Sequence, residues 1–80
     1  MPNPSRHRQT PELVALGAAI KSIRHSKNIS QESLALSAEV DRSYLGRVER
    51  GDNNVAILTL HRIARGLGLS LTELLTHTGL

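Results

Sequence analysis

A chain of 80 residues is long enough for one compact domain and too short for two. It contains no cysteine, which excludes disulfide frameworks and thiolate chemistry. Tyr44 is the only aromatic residue, so the core must be aliphatic, and this favours packed helices because strands are enriched in aromatic and β-branched residues. The net charge of +3 is compatible with a nucleic-acid partner without establishing one.

The N-terminal part of the chain predicts an arm followed by a helix. Residues 1–10 contain prolines and polar residues with no apolar period, which indicates a flexible arm ahead of a folded domain at residues 11–80. Arg6, His7 and Arg8 could enter a DNA minor groove, but an unattached tail is the more frequent outcome for such a segment. The apolar run at residues 13–20 is too short to cross a membrane and lacks a signal-peptide cleavage site, so we expect a cytoplasmic protein.

The first helix is predicted over residues 11–26. Thr10 supplies an N-cap hydroxyl, Pro11 suits the first helical position, and Glu12 complements the helix dipole. Apolar residues then recur at three- and four-residue steps, which is typical of a helix with one buried face. The members of this stripe are Leu13, Leu16, Ile20 and Ile23.

Three later segments share one arrangement at a helix start: an apolar residue, a residue whose side chain can cap the helix, and an apolar residue four positions beyond the cap. They predict helices over residues 31–37, 42–50 and 71–76, the last with a capping box completed by Glu73. An apolar stripe predicts another helix over residues 56–67, in which Gly66 indicates either close packing or a weak helix end. The three sets are Ile29, Ser30 and Leu34; Val40, Asp41 and Leu45; and Leu69, Ser70 and Leu74.

Two short helices joined by a tight turn at residues 31–50 have the arrangement of a helix-turn-helix, whose second helix can enter the major groove of DNA. The segment at residues 30–51 reads SQESLALSAEVDRSYLGRVERG and resembles the helix-turn-helix of the Cro/CI-repressor, or Xre-like, family. The flanking segments IRHSKNISQESLA and LTLHRIARGLGLSLTELL extend the likeness over most of the chain. The portion DRSYLGRVERG is most similar to restriction-modification controllers. The resemblance implies an all-α, compact five-helix, lambda-repressor-like DNA-binding domain.

The resemblance also implies roles for individual residues. Arg42 and Ser43 occupy the first positions of the recognition helix and Arg47 lies one turn beyond Ser43, so we expect these three to read bases, with the arginines selecting guanine. Arg24 and Glu49 match the family's internal ion pair and are expected to be structural. The residues expected at the DNA backbone are Gln31, Tyr44, Arg50, Asn53, Asn54 and Lys27.

The sequence departs from the family pattern at two positions. Glu39 occupies the turn position where the family usually has glycine, and a left-handed conformation there costs a non-glycine residue about 1–2 kcal/mol. Gly46 replaces a polar residue in the recognition helix, so one possible base contact is missing.

We therefore expect a sequence-specific regulator of transcription that binds a palindromic operator in double-stranded DNA as a homodimer. Leu58, Leu75 and Leu80 fall outside the main apolar stripes and are the expected dimer surface. The alternative is a protein-interaction module, such as an antitoxin that binds a toxin. An enzyme is not expected, because no catalytic constellation occurs, and the spacing of the histidines predicts no metal site; no cofactor or membrane contact is expected either.

Overall fold

The computed structural model describes residues 9–80, in which five α-helices and no strand occur. The predicted bounds agree with the observed ones to within one residue at each end, so the all-α five-helix prediction is confirmed. Residues 1–8, including Arg6, His7 and Arg8, lie outside the described residues. The helices are α1 (Pro11–Ser26), α2 (Gln31–Ala38), α3 (Arg42–Glu49), α4 (Ile57–Gly66) and α5 (Leu71–Thr76).

Side chains cap three of the five helix starts. The hydroxyls of Thr10, Ser30 and Ser70 each accept a hydrogen bond from a backbone N–H in the first turn of α1, α2 and α5, respectively, and Glu73 completes the predicted capping box. Asp41 has the extended backbone of an N-cap, but its carboxylate makes no capping bond, so the prediction of a side-chain cap for α3 is wrong. Helix α4 begins after Ala56 without a side-chain cap.

The core is aliphatic, as predicted. Helix α2 packs against α3 and α4, α1 packs against α3, and α5 packs against α1 and α4. The apolar residue four positions beyond each of the caps of α2, α3 and α5 is fully buried, which explains why that pattern marked the three helix starts. The largest fully buried side chains are Ile20, Leu34, Leu45, Val48, Ile63, Leu67 and Leu74.

Two glycines allow helices to approach closely. A Cβ atom at Gly17 would overlap the Val48 carbonyl oxygen and lie 2.5 Å from that of Glu49, so α1 crosses the end of α3 at backbone contact. A Cβ atom at Gly66 would lie 2.7 Å from Leu34 Cδ1. Gly66 therefore reflects close packing of α4 against α2 rather than a weak helix end.

The turn between α2 and α3 contains a left-handed residue that is not glycine. Glu39 has φ 59° and ψ 44° and ends α2, as its position in the sequence led us to expect. This conformation brings the Cβ atom too close to the following carbonyl oxygen, and Glu39 is exposed. The turn therefore holds backbone strain beside the first turn of α3.

Replacement of Glu39 by glycine is expected to stabilise the fold. Relief of the strain, less the larger entropy that glycine loses on folding, should raise the free energy of unfolding by about 1 kcal/mol. Asn28 is the matched control, because it also has a positive φ of 56° but asparagine tolerates that region better. Chemical denaturation of E39G and N28G should show the larger gain for E39G. A loss of stability in E39G would contradict the strain at this turn.

Candidate nucleic-acid interface

A buried ion pair fixes α3 against α1. Arg24 Nε lies 2.7 Å from Glu49 Oε2, and Arg24 Nη2 donates to Glu49 Oε1 at 3.0 Å. A third guanidinium nitrogen, Nη1, donates to the Ile29 carbonyl oxygen at 3.0 Å. Arg24 and Glu49 are 7% and 9% exposed, so both charges are removed from water and paired with each other. This pair therefore sets the position of α3 and does not offer a charge to a ligand.

Gln31 extends the same network to the start of α2. Its Nε2 donates to Glu49 Oε1 at 3.0 Å, so part of the amide that was expected at a DNA phosphate is used inside the protein. The first backbone N–H groups of α2 remain at a helix N-terminus, where Ser30 accepts only from Ser33. The start of α2 can thus still attract an anion through its backbone.

A basic groove lies between α1, α2 and α3. It has a volume of about 330 Å³. A Cβ atom at Gly46 would lie 3.3 Å from Arg50 Nη1 and 3.6 Å from Gln31 Nε2, so the missing side chain keeps the groove open. Lys21 is exposed at this groove and did not emerge from the sequence, although its position three residues before Arg24 places the two on the same side of α1. The groove is lined by Lys21, Arg24, Gln31, Gly46, Glu49 and Arg50.

Exposed cations lie at both ends of α3. Arg42 and Ser43 are exposed in its first turn. Arg50 follows its last residue, with a side chain 62% exposed and its Nε 3.2 Å from Asp52 Oδ2. The Gln9 amide donates to Asp52 Oδ1 and to the Arg50 carbonyl oxygen, which joins the start of the described chain to the end of α3. These cations can therefore reach a ligand that lies along α3.

Arg47 does not share this exposure, so the expectation that it emerges into solvent together with Arg42 and Ser43 is wrong. It is only 4% exposed, and its guanidinium lies over the Tyr44 ring with Cζ 5.8 Å from the ring centroid. Its Nε is buried and has no hydrogen-bond partner. Nearby is a cavity of about 580 Å³, here called the α3–α4 pocket. Its lining residues are Glu39, Val40, Asp41, Tyr44, Arg47 and Thr59.

Tyr44 is half-buried and packs against the core. Burial raises the pKa of its hydroxyl, while the positive charges of Arg47 and Arg62 act in the opposite direction. Arg62 Nε also donates to the Ala38 carbonyl oxygen at 3.0 Å and so caps the end of α2. Tyr44 therefore lies at the edge of the core, and its hydroxyl is under the influence of two arginines.

Three other residues expected at the DNA backbone differ in their placement. Lys27 Nζ donates to the Leu67 carbonyl oxygen at 2.6 Å, so its ammonium caps the end of α4, while its contact with the DNA backbone stays a prediction. Asn53 is half-buried, and its Oδ1 is buried without a partner. Asn54 is exposed in the loop between α3 and α4 and remains available.

Apolar side chains that were expected to form a dimer surface are exposed. Leu58 and Leu80 are 72% and 74% exposed, Leu75 is 40% exposed, and Ile57 beside Leu58 is 60% exposed. Leu36 on α2 is also 82% exposed. Several uncovered apolar groups therefore remain on the surface of the described chain.

Features of two other kinds of site are missing from residues 9–80. No helix there is both long and apolar enough to span a membrane. That part of the chain also brings together no group of three or more histidine, aspartate or glutamate side chains that could hold a metal ion.

Comparison with known proteins identifies this arrangement. A family model described as HTH_3, helix-turn-helix, matches residues 20–74. Control protein C.MunI from Mycoplasma sp is 39% identical over 62 residues, which cover 76% of this chain and 84% of that protein. Control protein C.SmaI from Serratia marcescens is 42% identical over 65 residues, which cover 81% of this chain and 77% of that protein.

A solved structure gives the same result. The restriction-modification controller protein C.AhdI from Aeromonas hydrophila superposes with a TM-score of 0.79 at 38% identity, over 81% of this chain and 98% of that chain. Residues 20–74, which the family model matches, contain α2, α3, the buried ion pair and the basic groove. The chain therefore belongs to the Xre-type helix-turn-helix family of DNA-binding transcriptional regulators.

Proposed function

We propose that the protein binds a palindromic operator in double-stranded DNA as a homodimer, in the cytoplasm, and controls transcription from a nearby promoter. The observation that carries this proposal is the exposure of Arg42 and Ser43 on the first turn of α3, beside a groove that holds Lys21 and Arg50. The major groove of B-form DNA is wide enough to admit an α-helix, and base edges there carry a distinct pattern of donors and acceptors. Helix α3 is the element that meets this requirement.

Base recognition is assigned to the first turn of α3. The guanidinium of Arg42 matches the O6 and N7 acceptors of guanine, which predicts guanine in each half-site. Ser43 can donate to or accept from several bases and so contributes less selectivity. Arg47, which was expected to read bases as well, is packed on Tyr44 and does not add to this exposed surface.

Backbone contacts are assigned to the basic groove. Lys21 and Arg50 supply positive charge, and the N-terminus of α2 supplies oriented N–H groups at Gln31. Phosphate contacts of this kind fix the register of a helix on the duplex but carry no sequence information. They would hold α3 in the groove while Arg42 and Ser43 read the bases.

A dimer would double the number of bases that are read. One recognition helix covers only a few base pairs, so two copies related by a twofold axis give a more selective site, with half-sites about 34 Å apart. The exposed Leu58, Leu75 and Leu80 supply the apolar surface that such a dimer would bury. The similar proteins called control proteins and restriction-modification controllers support a comparable controlling role here.

Replacement of Arg42 by alanine is expected to weaken binding to an operator selected from random duplexes by about 1–3 kcal/mol and to relax the preference for guanine. R50A is the matched variant, because loss of a phosphate contact should weaken binding to selected and scrambled duplexes alike. Titration of each variant with the selected and the scrambled duplex, at two salt concentrations, measures the affinities that are compared. Equal losses on the two duplexes in R42A would contradict base reading by Arg42.

Replacement of Leu58 by glutamate should dissociate the dimer. A charge buried at the interface is expected to weaken association by at least about 2 kcal/mol. L36E is the matched control, because Leu36 is at least as exposed as Leu58 but lies on α2, outside the expected dimer surface. Sedimentation equilibrium should show the monomer for L58E and the unchanged dimer for L36E. A dimer that survives L58E would place the interface elsewhere.

A further inference from the structure

We propose that the α3–α4 pocket binds a phosphate of the DNA backbone, held by Arg47 and by the start of α4. Arg47 would then be a phosphate anchor that acts on any sequence, and not a base reader. This inference depends on the proposed DNA-binding function, and it concerns the side of α3 opposite the basic groove. Three observations on described residues support it.

The first observation is that the Arg47 guanidinium lacks an acceptor. It is 4% exposed, and its buried Nε donates to nothing in the described part of the chain. The guanidinium lies over the face of the Tyr44 ring. A buried N–H donor without a hydrogen-bond acceptor is unfavourable, so this position favours a ligand that brings an oxygen acceptor. The adjoining pocket gives such a ligand access.

The second observation is that α4, a helix of ten residues without a side-chain cap, reaches the same pocket with its first turn, through Thr59. Ala56 offers no side-chain acceptor, so the N–H groups of the first turn have no side-chain partner. Thr59, the third residue of α4, lines the pocket together with Arg47. The positive end of the helix dipole and a guanidinium thus meet at one cavity, and both favour an anion.

The third observation concerns the carboxylates of Glu39 and Asp41, which also line the pocket. Both residues are exposed, and the charges that act on the pKa of the Tyr44 hydroxyl at this pocket are those of Arg47 and Arg62. Exposed carboxylates are screened by water and salt but still repel a free dianion. They repel a singly charged phosphate diester less strongly than a dianion, and the other protein–DNA contacts would bring such a diester to the pocket at high effective concentration.

The geometry of α3 fits this assignment. Gly46 faces the basic groove, whereas Tyr44 and Arg47 face the α3–α4 pocket, so the two cavities flank the same helix. A helix in the major groove has phosphates of one strand on each side. The basic groove and the α3–α4 pocket would each take a phosphate from a different strand.

Replacement of Arg47 by methionine tests the anchor. The variant should lose about tenfold in affinity for the selected duplex and for a scrambled duplex alike. The slope of log affinity against log salt concentration should also become shallower, by about the amount that one phosphate contact contributes. R65M is the matched control for net charge, because Arg65 is exposed near the end of α4, away from the pocket. A loss confined to the selected duplex would make Arg47 a base reader and overturn the proposal. A loss no larger than that of R65M would also overturn it.

A second measurement uses the unmodified protein and does not depend on the folding of a variant. Tyr44 is the only aromatic residue, so its ring resonances and its fluorescence report on this pocket alone. Scrambled duplex should shift the Tyr44 signal saturably, as the proposal requires. Inorganic phosphate at matched ionic strength is the comparison: a shift by phosphate with none by duplex would assign the pocket to a free ligand and overturn the proposal.

Failure of this inference is distinguishable from failure of the proposed function. If no duplex is enriched from a random pool, sequence-specific recognition fails. If a duplex is enriched and R42A lowers its affinity while R47M binds both duplexes as tightly as R65M does, only the phosphate anchor fails.

Discussion

The arrangement of the DNA-binding surface depends on the buried ion pair between Arg24 and Glu49. Its two short hydrogen bonds join α1 to α3, and two further bonds, to Ile29 and from Gln31, join the same pair to the start of α2. A buried ion pair adds little net stability, because desolvation of the charges offsets their attraction. Its charges and lone pairs are satisfied in only one arrangement, however, so we interpret it as a device that fixes the position of α3. The backbone contact at Gly17 brings α1 close enough for the pair to form.

Unfavourable local features are concentrated around the same helix. Glu39 is left-handed before it, Arg47 lacks an acceptor within it, and α4 starts uncapped after it. The starts of α1 and α5, in contrast, are capped by the side chains of Thr10 and Ser70. Such an uneven distribution is typical of proteins in which a binding surface is left incomplete until its ligand arrives.

Much of the fold could be predicted because local interactions determine it. Ser30 and Ser70 accept from the residues that their spacing indicated, and the apolar residues that follow them are buried, so helix bounds were predicted to within one residue. The side-chain assignments were harder, since they depend on elements distant in sequence. Lys27 is drawn to the end of α4, forty residues away, and no local pattern indicates this contact.

Arg47 shows the same limit at the site itself. Its spacing from Ser43 predicts a shared exposed face of α3, but a long side chain can fold back over a neighbouring ring. Whether the Arg47 side chain folds back depends on its packing against Tyr44 and the start of α4. Helical periodicity gives no information about that packing. Lys21 was missed for a related reason, because the groove that gives it a role exists only where Gly46 leaves space.

The most direct test of the account is the mapping of the DNA contact surface by NMR. The backbone amides of the uniformly 15N-labelled protein would be followed during titration with an operator duplex selected from a random pool. The largest shifts should fall on the first turn of α3, the start of α2 and the loop before α4. Shifts concentrated on α5 and the end of α4, with α3 unchanged, would contradict it.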